Sequence, residues 1–589
     1  MSLFDDASLV YIPTGYKPTK NYSGKPSTGG ADMTFSRASG ATRVNSKGLV
    51  EKVRTNLLLQ SNTFNTTWTQ QNTTLTSGQS GYDGNSDAWK VEATTAATTR
   101  LLQSSSIAAN TVVTVSLYAK VGNVNFVKFN LAVSGTNSIV TFDLTDGTIY
   151  NSNAIDTTWK EVGNGWVRIS ATFINSNVII EPRIELRSDY TTDVADAGSY
   201  VYIQDAQLEQ GLVATNYIET TSATVSVGPV NDEPRLTYDP VNPTAPSLLM
   251  EPQRTNLVES AEFFGASNWI LAGSAITTNA TTSPEGVANA TKLEGDGSSV
   301  NVRLYDNYTY PSTGDYTFSV YAKAGTNDFV LISILGVAGG KIRYFDLVNG
   351  IAGSADSKIE AIGTDGWYRC SFTATLTGPD ITGNFNIYVP YSIDTTSFPS
   401  DADANGQYVY IYGAQLEKAS YESSYIPTNG TSVTRVAESS YDLSVSSEIG
   451  SSEGVIFIDI QTPSSISSNT AFSIGGGTSG EYAQIEIRTD LSINWRYRVG
   501  YVDYINANVG SFSAGDRLKI AFAYKNLDSI LYLNGSSIAT DTGTIATNSW
   551  DEIRFSNYAG TGILEANVNK ALLFPTRLDN STLATLTSL

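Results

Sequence analysis

Several short motifs occur twice in this chain, and the second set follows the order of the first. Arg54–Leu57 (RTNL) returns as Arg254–Leu257, and Phe142–Leu144 (FDL) returns as Phe345–Leu347. The other matched motifs are Ser116–Lys120 with Ser319–Lys323, Gly165–Arg168 with Gly366–Arg369, Tyr200–Ile203 with Tyr408–Ile411, and Ala206–Glu209 with Ala414–Glu417. Solenoid repeats are much shorter than this spacing and cannot fold alone, whereas each copy here has the length of a whole domain. The chain therefore contains a duplicated domain.

The segments between these motifs are typical of strands. Val112–Ala119 and Phe126–Leu131 in the first copy, and Tyr316–Ala322 in the second, are short and rich in aromatic and β-branched residues. Gly, Asn and Asp lie between them, and no long helical period interrupts the pattern. Such strands with turn residues between them predict an all-β fold of antiparallel sandwiches or barrels.

Five regions follow from the repeat and from shifts in composition. Residues 1–53 are rich in Gly, Pro, Ser and Lys, and this segment needs a partner or a neighbouring domain because it cannot build its own core. The first copy spans 54–220 and the second spans 254–436, and residues 221–253 form a stiff, proline-rich connector. Residues 437–589 lie beyond the repeat and carry a third set of strand patterns.

The sequence contains no histidine. This excludes Ser-His-Asp and Cys-His catalysis, histidine-ligated zinc and every acid–base scheme that uses an imidazole. Glycoside hydrolysis by two carboxylates stays chemically open, but no motif singles out a pair among the 57 acidic residues. We therefore name no catalytic residue and expect that the chain is not an enzyme.

The composition also limits the partners. Acidic residues outnumber Lys and Arg by 57 to 36, so the net charge of −21 repels phosphate backbones and makes nucleic acid a poor candidate partner. An acidic surface is typical of solubility or of a salty medium. No apolar stretch is long enough for membrane insertion, and Met1–Asp6 lacks the pattern of a secretory signal. The single cysteine, Cys370, excludes an intrachain disulfide.

Carbohydrate binding is the function that the residue types favour. Aromatic rings cover the C–H faces of sugars, and planar polar side chains take the hydroxyl groups. One strand of the second copy alternates polar or aromatic residues with Phe385 and Ile387, and the matching strand of the first copy alternates around Ile184 and Leu186. The candidate carbohydrate-binding residues on these strands are Asn384, Asn386, Tyr388, Arg183, Glu185 and Arg187. The two sets predict different ligands, and the alternative is that each outer face is merely solvated.

A third candidate face lies in the last region. Trp495, Tyr497 and Tyr501 alternate along one strand and form a candidate carbohydrate-binding face, with Arg496 and Arg498 on the other side. The alternative is that the aromatic side belongs to the core. The two arginines are candidates for binding hydroxyl groups or a partner chain.

Some of these motifs also carry a resemblance to a known family. In the second copy they are Asn256–Glu259, Trp269, Tyr321–Lys323, Gly366–Arg369 and Tyr408–Ile411, and the first copy shows the same marks. Together they resemble the jelly-roll carbohydrate-binding modules of bacteriophage fibre proteins. In residues 437–589, Ala521–Tyr524 and Leu531–Gly535 are similar to a concanavalin A-like lectin or laminin-G-type sandwich. The implied fold is two tandem antiparallel jelly rolls followed by a C-terminal concanavalin A-like sandwich.

A second resemblance joins the start of the chain to the second copy. Phe35–Asn45 and Leu248–Leu257 together resemble an arrangement that recurs in phage head-fibre and tail-fibre proteins, where the first segment runs soon into the second. Here the whole first copy separates them, as though it had been inserted. The chain rejoins the family's pattern near Asp232–Arg235.

These resemblances imply a fibre or spike subunit at the surface of a bacteriophage virion. Such a subunit binds host or environmental glycans for host attachment, its residues 1–53 anchor it to other virion proteins, and it assembles as a homotrimer. Two alternatives stay open: a glycan-degrading fibre that uses a carboxylate pair, and passive structural decoration of the particle.

The jelly-roll resemblance further implies a structural calcium ion near the first and last strands. Calcium prefers oxygen ligands, and the candidates are Glu259, Glu417 and Asp205. Gly413 stands where Asp205 does, so the second copy lacks that carboxylate. The alternative is that these are ordinary solvated carboxylates.

Overall fold

The computed structural model describes residues 3–26, 29–133, 136–298, 302–378, 381–390 and 405–589. In these parts of the chain the regular structure is almost entirely antiparallel strand, with one short helix near each end. Neither of these helices has the length and hydropathy of a membrane span. The predicted all-β class of antiparallel sandwiches is confirmed.

Residues 1–53 are the N-terminal segment, 54–220 are module 1, 221–253 are the connector, 254–436 are module 2, and 437–589 are the C-terminal unit.

The elements follow in chain order. The N-terminal segment holds α1 (Leu3–Asp6), β1 (Leu9–Tyr11), β2 (Tyr16–Lys17), β3 (Lys20–Asn21), β4 (Gly24–Lys25), β5 (Gly29–Gly30), β6 (Met33–Ser36), β7 (Thr42–Val44) and β8 (Val50–Lys52). Module 1 holds β9 (Arg54–Asn56), β10 (Thr69–Gln71), β11 (Thr73–Gln79), β12 (Ala88–Ala93), β13 (Thr99–Leu102), β14 (Ser105–Ser106), β15 (Thr111–Val121), β16 (Phe126–Val133), β17 (Thr136–Asp143), β18 (Ile149–Tyr150), β19 (Asp156–Gly163), β20 (Trp166–Asn175), β21 (Ile179–Arg187) and β22 (Tyr200–Gln210). The connector holds β23 (Val225–Val227), β24 (Leu236–Tyr238) and β25 (Pro246–Met250).

Module 2 and the C-terminal unit complete the sequence of elements. Module 2 holds β26 (Arg254–Asn256), β27 (Ile270–Ala272), β28 (Ser274–Thr281), β29 (Ala290–Gly295), β30 (Arg303–Thr309), β31 (Gly314–Ala324), β32 (Phe329–Leu335), β33 (Lys341–Asp346), β34 (Ile351–Ala352), β35 (Ser357–Ile362), β36 (Trp367–Leu376), β37 (Thr382–Tyr388), β38 (Tyr408–Glu417) and β39 (Val433–Arg435). The C-terminal unit holds β40 (Ser439–Asp442), β41 (Glu453–Gln461), β42 (Thr470–Thr478), β43 (Glu481–Ile487), β44 (Ile493–Val499), β45 (Val502–Val509), β46 (Arg517–Lys525), β47 (Ser529–Leu533), β48 (Ser536–Asp541), β49 (Glu552–Arg554), β50 (Ala566–Phe574) and α2 (Asn580–Thr587).

Modules 1 and 2 have the same topology. In module 1 the front sheet has the order β10-β13-β21-β16-β17-β18, with β14 also on β21, and the back sheet has the order β11-β12-β22-β15-β20-β19. In module 2 the front sheet is β27-β30-β37-β32-β33-β34 and the back sheet is β28-β29-β38-β31-β36-β35. The strands correspond place by place, so the repeated motifs mark a repeated scaffold.

The core of each module lies between its front and back sheets. Trp68 and Trp269 are buried in these two cores. Trp166 and Trp367 are also buried, but on the outer side of the back sheets, because residues of β20 and β36 that alternate with them point inward. The four repeated tryptophans are therefore packing residues.

The C-terminal unit shares its sandwich with the start of the chain. One sheet has the order β48-β47-β46-β41-β50-β1-β4-β5, with β25 also on β50, and the other has the order β2-β3-β6-β40-β49-β42-β43-β44-β45. Leu9 lies opposite Leu573 in the β1–β50 pair. Strands near both ends of the chain and from the connector thus build one sandwich, and the two modules lie between them in sequence.

The repeated asparagine of the RTNL motif closes each module. Asn256 Nδ2 donates to the carbonyls of Ala414 at 3.1 Å and Ile426 at 2.9 Å, and its Oδ1 accepts from two backbone N–H groups. Asn56 makes the same four hydrogen bonds in module 1. One buried side chain therefore ties the first strand of the module to the last strand and to the tail that follows it.

We expect Asn256→Ala to lower the free energy of unfolding of module 2 by about 2–3 kcal/mol, because it leaves buried carbonyl and N–H groups without partners. Hydrogen exchange read by mass spectrometry resolves the modules, and protection should fall in module 2 while module 1 is unchanged. Asn56→Ala is the matched control and should show the reverse. Equal losses in both modules for either variant would contradict this role.

Candidate functional site

The candidate residues of module 1 meet on the outer side of its front sheet. In β21, Ile184 and Leu186 point into the core, so the residues that alternate with them lie together on the opposite side. Neighbouring strands add polar groups in register. We call the resulting set the arginine face, and its members are Arg100, Lys128, Asn130, Arg183, Glu185 and Arg187.

Glu185 is the centre of the arginine face. Asn130 Nδ2 donates to the Glu185 carboxylate at 3.0 Å, and Arg187 also donates to it. The cationic nitrogens of Arg100 and Lys128 lie 3.8 and 3.9 Å from its oxygens. This network holds five side chains from three strands in fixed places.

Glu185 and Arg187 are closed off from solvent. Asp193, in the loop after β21, pairs with Arg187 at 2.6 Å and with Lys128 at 2.9 Å. The side chains of Glu185 and Arg187 are each only 2% exposed. The expectation that these two residues contact a ligand is therefore corrected, because they belong to a buried ion-pair network. Arg183, with 19% of its side chain exposed, stays accessible.

The rim of the arginine face is aromatic. Tyr150 and Tyr190 stack with ring centroids 4.1 Å apart, Phe126 packs edge-on against both, and Tyr190 is 44% exposed. On the same face Asn130 Oδ1 and Arg183 Nε are buried and have no hydrogen-bond partner in the described part of the chain. Unpaired buried polar atoms are costly, so these two atoms mark places where a hydroxyl group or a water molecule completes the set.

The matching face of module 2 is more closed. Asn386 and Tyr388 lie on the outer side of the front sheet, yet both are buried. Arg303 lies against them: its Nη1 donates to Asn386 Oδ1 at 3.2 Å and to the Tyr388 hydroxyl at 3.4 Å, and its guanidinium lies 4.4 Å from the centroid of the Tyr305 ring. The expected open polar face is therefore corrected at Asn386 and Tyr388. Asn384, which accepts from Asn386 at 2.7 Å, is half-buried.

The three aromatic candidates of the C-terminal unit are not on one face. Trp495 and Tyr497 of β44 are buried in the sandwich core, which is the alternative that the sequence left open. Tyr501 lies in the turn after β44, with φ of 65° and 70% of its surface exposed. The predicted binding stripe is therefore corrected. On the other side of β44, Arg496 and Arg498 both pair with Asp503 of β45, at 2.6 and 2.7 Å.

Two of the candidate calcium ligands, Glu417 and Glu259, lie in different surroundings. Glu417 is completely buried, and both its carboxylate oxygens accept hydrogen bonds, from Ser423 and from Gln415. Burial raises the pKa of Glu417. Glu259 is exposed. It neighbours Asp306, whose pKa burial raises to about 6 with a further contribution from the Glu259 charge.

Asp205, the third candidate, lies at a bulge of the back sheet in module 1. Its φ is 53°, and the matching Gly413 has a φ of 61°, which explains why glycine serves there in module 2. Tyr82 donates to Asp205 at 2.9 Å. Burial, with contributions from Asp87 and Asp83, nevertheless raises the pKa of Asp205 to about 7. Within the described residues no group of three Asp, Glu or Cys side chains is arranged to hold a metal ion, so the three candidates do not fit the expected calcium site.

Sequence reasoning missed Arg100, Lys128 and Tyr190. Arg100 and Lys128 alternate with core residues of β13 and β16, which is a signal of an outward position, but their pairing with Glu185 depends on the strand order. Tyr190 lies in a loop without periodic pattern, so nothing in its neighbourhood places it beside the sheet.

No family model and no curated protein matches this chain. Among solved structures, the CBM40 module of the Ruminococcus gnavus IT-sialidase bound to α2,3-sialyllactose is 18% identical over 24% of this chain and 84% of its own, with a TM-score of 0.21. The tandem CBM22-1–CBM22-2 domain of Paenibacillus barcinonensis Xyn10C is 12% identical over 62% of this chain and 98% of its own, with a TM-score of 0.21. Trypanosoma rangeli sialidase is 9% identical over 98% of both chains, with a TM-score of 0.20. Carbohydrate-binding modules are thus among the structures that this chain resembles.

The sialidase match corrects one expectation from the sequence. We expected that the chain is not an enzyme, whereas the solved structures that match it over its full length include glycosidases. That expectation is not kept. At TM-scores of 0.20–0.21 the likeness itself assigns neither a ligand nor an activity to this chain.

Proposed function

We propose that module 1 binds a glycan on the arginine face. One observation carries this proposal: an exposed aromatic ring, Tyr190, shares the face with planar polar groups that have unused hydrogen-bonding capacity, Asn130 Oδ1 and Arg183 Nε. Sugar recognition needs both kinds of group, because the ring covers C–H surface while the polar atoms take hydroxyl groups. The ion pairs of Glu185 hold the face in place before the ligand arrives, and this lowers the entropic cost of binding.

The length of the arginine face suits an oligosaccharide. Arg183 and Arg187 stand at two ends of the same side of β21, and a strand rises about 3.3 Å per residue, so they are roughly 13 Å apart. Arg100, whose Nε donates to Gln71 at 2.6 Å, lies between them on β13. A short glycan along this line would have one ring against Tyr190 and its hydroxyl groups over Arg183 and Arg100.

We further propose that the glycan is a host or environmental polysaccharide and that the chain is a fibre or spike subunit at a virion surface. The motif resemblance to phage fibre proteins supports this. Homo-oligomeric assembly and contact with other virion proteins belong to the same proposal. Because β1 and β6 of the N-terminal segment are built into the C-terminal sandwich, contact with the particle would involve that sandwich.

The test compares the parent protein with Tyr190→Ala and Arg183→Ala on a glycan array, followed by calorimetry with the glycans that bind. We expect each variant to weaken binding by about tenfold, which corresponds to the loss of one ring contact or one charged hydrogen-bond donor. Tyr501→Ala is the matched control, because it removes an exposed tyrosine from the C-terminal unit. Absence of any bound glycan, or equal affinity of all four proteins, would refute the proposal.

New reducing ends are measured in the same incubations with bacterial surface polysaccharide. Their appearance would identify a glycan-degrading fibre, and their absence together with binding would identify attachment without cleavage. Passive decoration would give neither signal.

A further inference from the structure

A large basic cleft lies behind module 1, on the side opposite to the arginine face. It has a volume of about 1270 Å³ and runs between the outer side of the back sheet, the tail after β22 and the β7–β8 hairpin of the N-terminal segment. Tyr16 and Tyr217 contribute aromatic surface to its wall. A cleft of this size is large enough for an oligosaccharide.

Most charged groups of the cleft wall are paired with each other. Arg43 pairs with Glu51 at 2.7 Å, and Lys52 and Arg54 pair with Glu285 at 3.0 and 2.5 Å. Among the described residues, three other lining cations have no carboxylate at ion-pair distance, and these are Lys47, Lys160 and Arg168. The only other lining carboxylate in that part of the chain is Glu219. The unpaired groups therefore leave a net positive charge in a protein whose net charge is −21.

The internal repeat shows which of these charges are unusual. Arg168 and Arg369 occupy the same place in the two back sheets. Arg168 donates to Ser116 Oγ at 3.1 Å and to the Thr215 carbonyl at 2.6 Å. Arg369 donates to Ser319 Oγ, which matches Ser116, at 3.1 Å and to the carbonyl of Ser423, which matches Thr215, at 2.7 Å. The scaffold of the arginine is thus the same in both modules.

In module 2 this arginine is neutralised within the chain. Burial alone would lower the pKa of Arg369. Tyr321 and the nearby carboxylates of Glu422, Glu417 and Glu360 hold it above its usual range instead. Glu422 also pairs with Lys358 at 2.8 Å. The corresponding cleft of module 2 therefore has its own counter-charges.

In module 1 two of these three carboxylates, the counterparts of Glu422 and Glu360, are missing, and only Glu209 stands in the place of Glu417. Glu360 lies opposite Arg369 in the β35–β36 pair, and Lys160 lies opposite Arg168 in the β19–β20 pair. Ala214 precedes Thr215 in module 1, and at the matching place in module 2 Glu422 precedes Ser423. Like charges directly opposite on neighbouring strands repel each other. Lys160 and Arg168 therefore repel each other, and an anion from outside the chain that lies between the two side chains would relieve this repulsion.

We propose that the basic cleft binds an acidic saccharide, with a carboxylate or sulfate group of the saccharide held by Arg168 and Lys160. Guanidinium groups present several donors in a fixed plane and match such oxyanions, and the lysine ammonium adds a second positive charge. The tyrosines of the wall supply faces for the sugar rings. This site lies on the back sheet and is separate from the arginine face. The two proposed sites can therefore be tested independently of each other.

Three probes of similar length distinguish the chemistry: pentagalacturonate, its methyl ester, and a sulfated dextran oligosaccharide. We expect the parent protein to bind pentagalacturonate, the sulfated oligosaccharide, or both, and not the neutral ester. Binding should weaken as salt is added, because partly exposed charges are screened. Binding of only one acidic probe would assign the group that the cleft accepts.

The decisive variant places glutamates in module 1 at the positions that match Glu360 and Glu422 of module 2. Lys160→Glu combined with Ala214→Glu should weaken binding of the acidic probe by about tenfold or more, as expected for reversed charge at a complementary site. Lys120→Glu makes the same charge change as the single Lys160→Glu substitution, but on the back sheet outside the cleft, and should leave the affinity unchanged. If the double variant unfolds at a lower temperature, the single Lys160→Glu variant at an exposed position gives the same reading.

Failure of the parent protein to bind either acidic probe would overturn the proposal, and so would equal affinity of the parent and the double variant. Tyr190→Ala separates the two sites, because it should not affect binding in the basic cleft. A protein that binds a neutral glycan but no acidic probe would keep the arginine face as a site and remove the cleft.

Discussion

Glu438→Gln is expected to lower the free energy of unfolding of the C-terminal sandwich by about 3–5 kcal/mol, the cost of removing one partner from a buried ion-pair network. Glu438 is completely buried. Its carboxylate accepts from Arg37 at 3.0 Å, from Arg235 at 2.5 and 2.6 Å, and from the backbone N–H of Glu251 at 2.8 Å. The substitution keeps the size of the side chain and removes its charge.

The network around Glu438 is already short of negative charge. Three buried arginines, Arg37, Arg235 and Arg435, share the carboxylates of Glu438 and Glu251. Burial, together with the charge of Arg235, lowers the pKa of Arg37 to about 10, although Glu438 opposes this shift. Glu438→Gln would leave one carboxylate for three guanidinium groups. These residues come from the N-terminal segment, the connector, the last strand of module 2 and the C-terminal unit, so loss of the network would loosen the junction of all four.

Two measurements test this effect: urea denaturation gives the midpoint of unfolding of the sandwich, and hydrogen exchange gives the protection of each strand. Protection should fall in β6, β24 and β40, which adjoin the network in sequence, and the urea midpoint of the sandwich should move down. Glu453→Gln is the matched control, because the Lys525–Glu453 pair is half-exposed at 3.0 Å and such pairs contribute less than about 1 kcal/mol. Equal midpoints for the two variants would show that the network does not hold the junction together.

Much of the fold follows from local pattern. The matched motifs predicted that two regions share one scaffold, and the two modules have the same strand order because the same apolar alternation selects the same inward faces. The alternation around Ile184 and Leu186 also placed Arg183, Glu185 and Arg187 correctly on one side of β21. The two-residue period of a strand is enough to predict which side chains share one side of it.

The same pattern does not tell which side of a strand is covered. Trp495 and Tyr497 alternate like a ligand-binding stripe, yet they face the second sheet of the sandwich. Glu185 and Arg187 face outward, yet a loop that carries Asp193 covers them. Coverage depends on contacts between residues far apart in sequence, and local periodicity carries no information about them.

The joining of the N-terminal segment, the connector and the C-terminal unit in one sandwich was the feature that the sequence predicted least. The N-terminal segment was expected to need a neighbouring domain, but no pattern in it names β50 as the partner of β1. Arg37, Arg235 and Glu438 meet only because three distant segments join the same sandwich. Each of these residues, seen in its own neighbourhood, is typical of a solvated surface charge.

Asp205→Asn is expected to stabilise module 1 at pH 8 and to have little effect at pH 4. Burial raises the pKa of Asp205 from 3.8 to about 7 in the folded protein, so the folded state holds a proton that the unfolded state has released. Stability is therefore fully present below pH 4 and is lost as the pH rises from about 4 to 7. Each pKa unit corresponds to about 1.4 kcal/mol, so the penalty at pH 8 amounts to several kcal/mol. Asparagine keeps an oxygen that accepts from Tyr82 and removes the charge.

The measurement is the unfolding of module 1 between pH 4 and pH 8, in a chelating buffer and again with added calcium. The parent protein and Asp205→Asn should unfold alike at pH 4 and diverge as the pH rises, because only the parent has a carboxylate to bury. Asp146→Asn is the control, since Asp146 is an exposed carboxylate of the same module whose pKa is lowered by hydrogen bonds from Thr148, so its replacement should not stabilise the module at pH 8. Parallel curves for the parent and Asp205→Asn would show that Asp205 is solvated when charged. If calcium stabilises the parent at pH 8 and not the variant, Asp205 holds the ion despite the unfavourable arrangement of its neighbours, because a bound cation then supplies the counter-charge that the chain lacks.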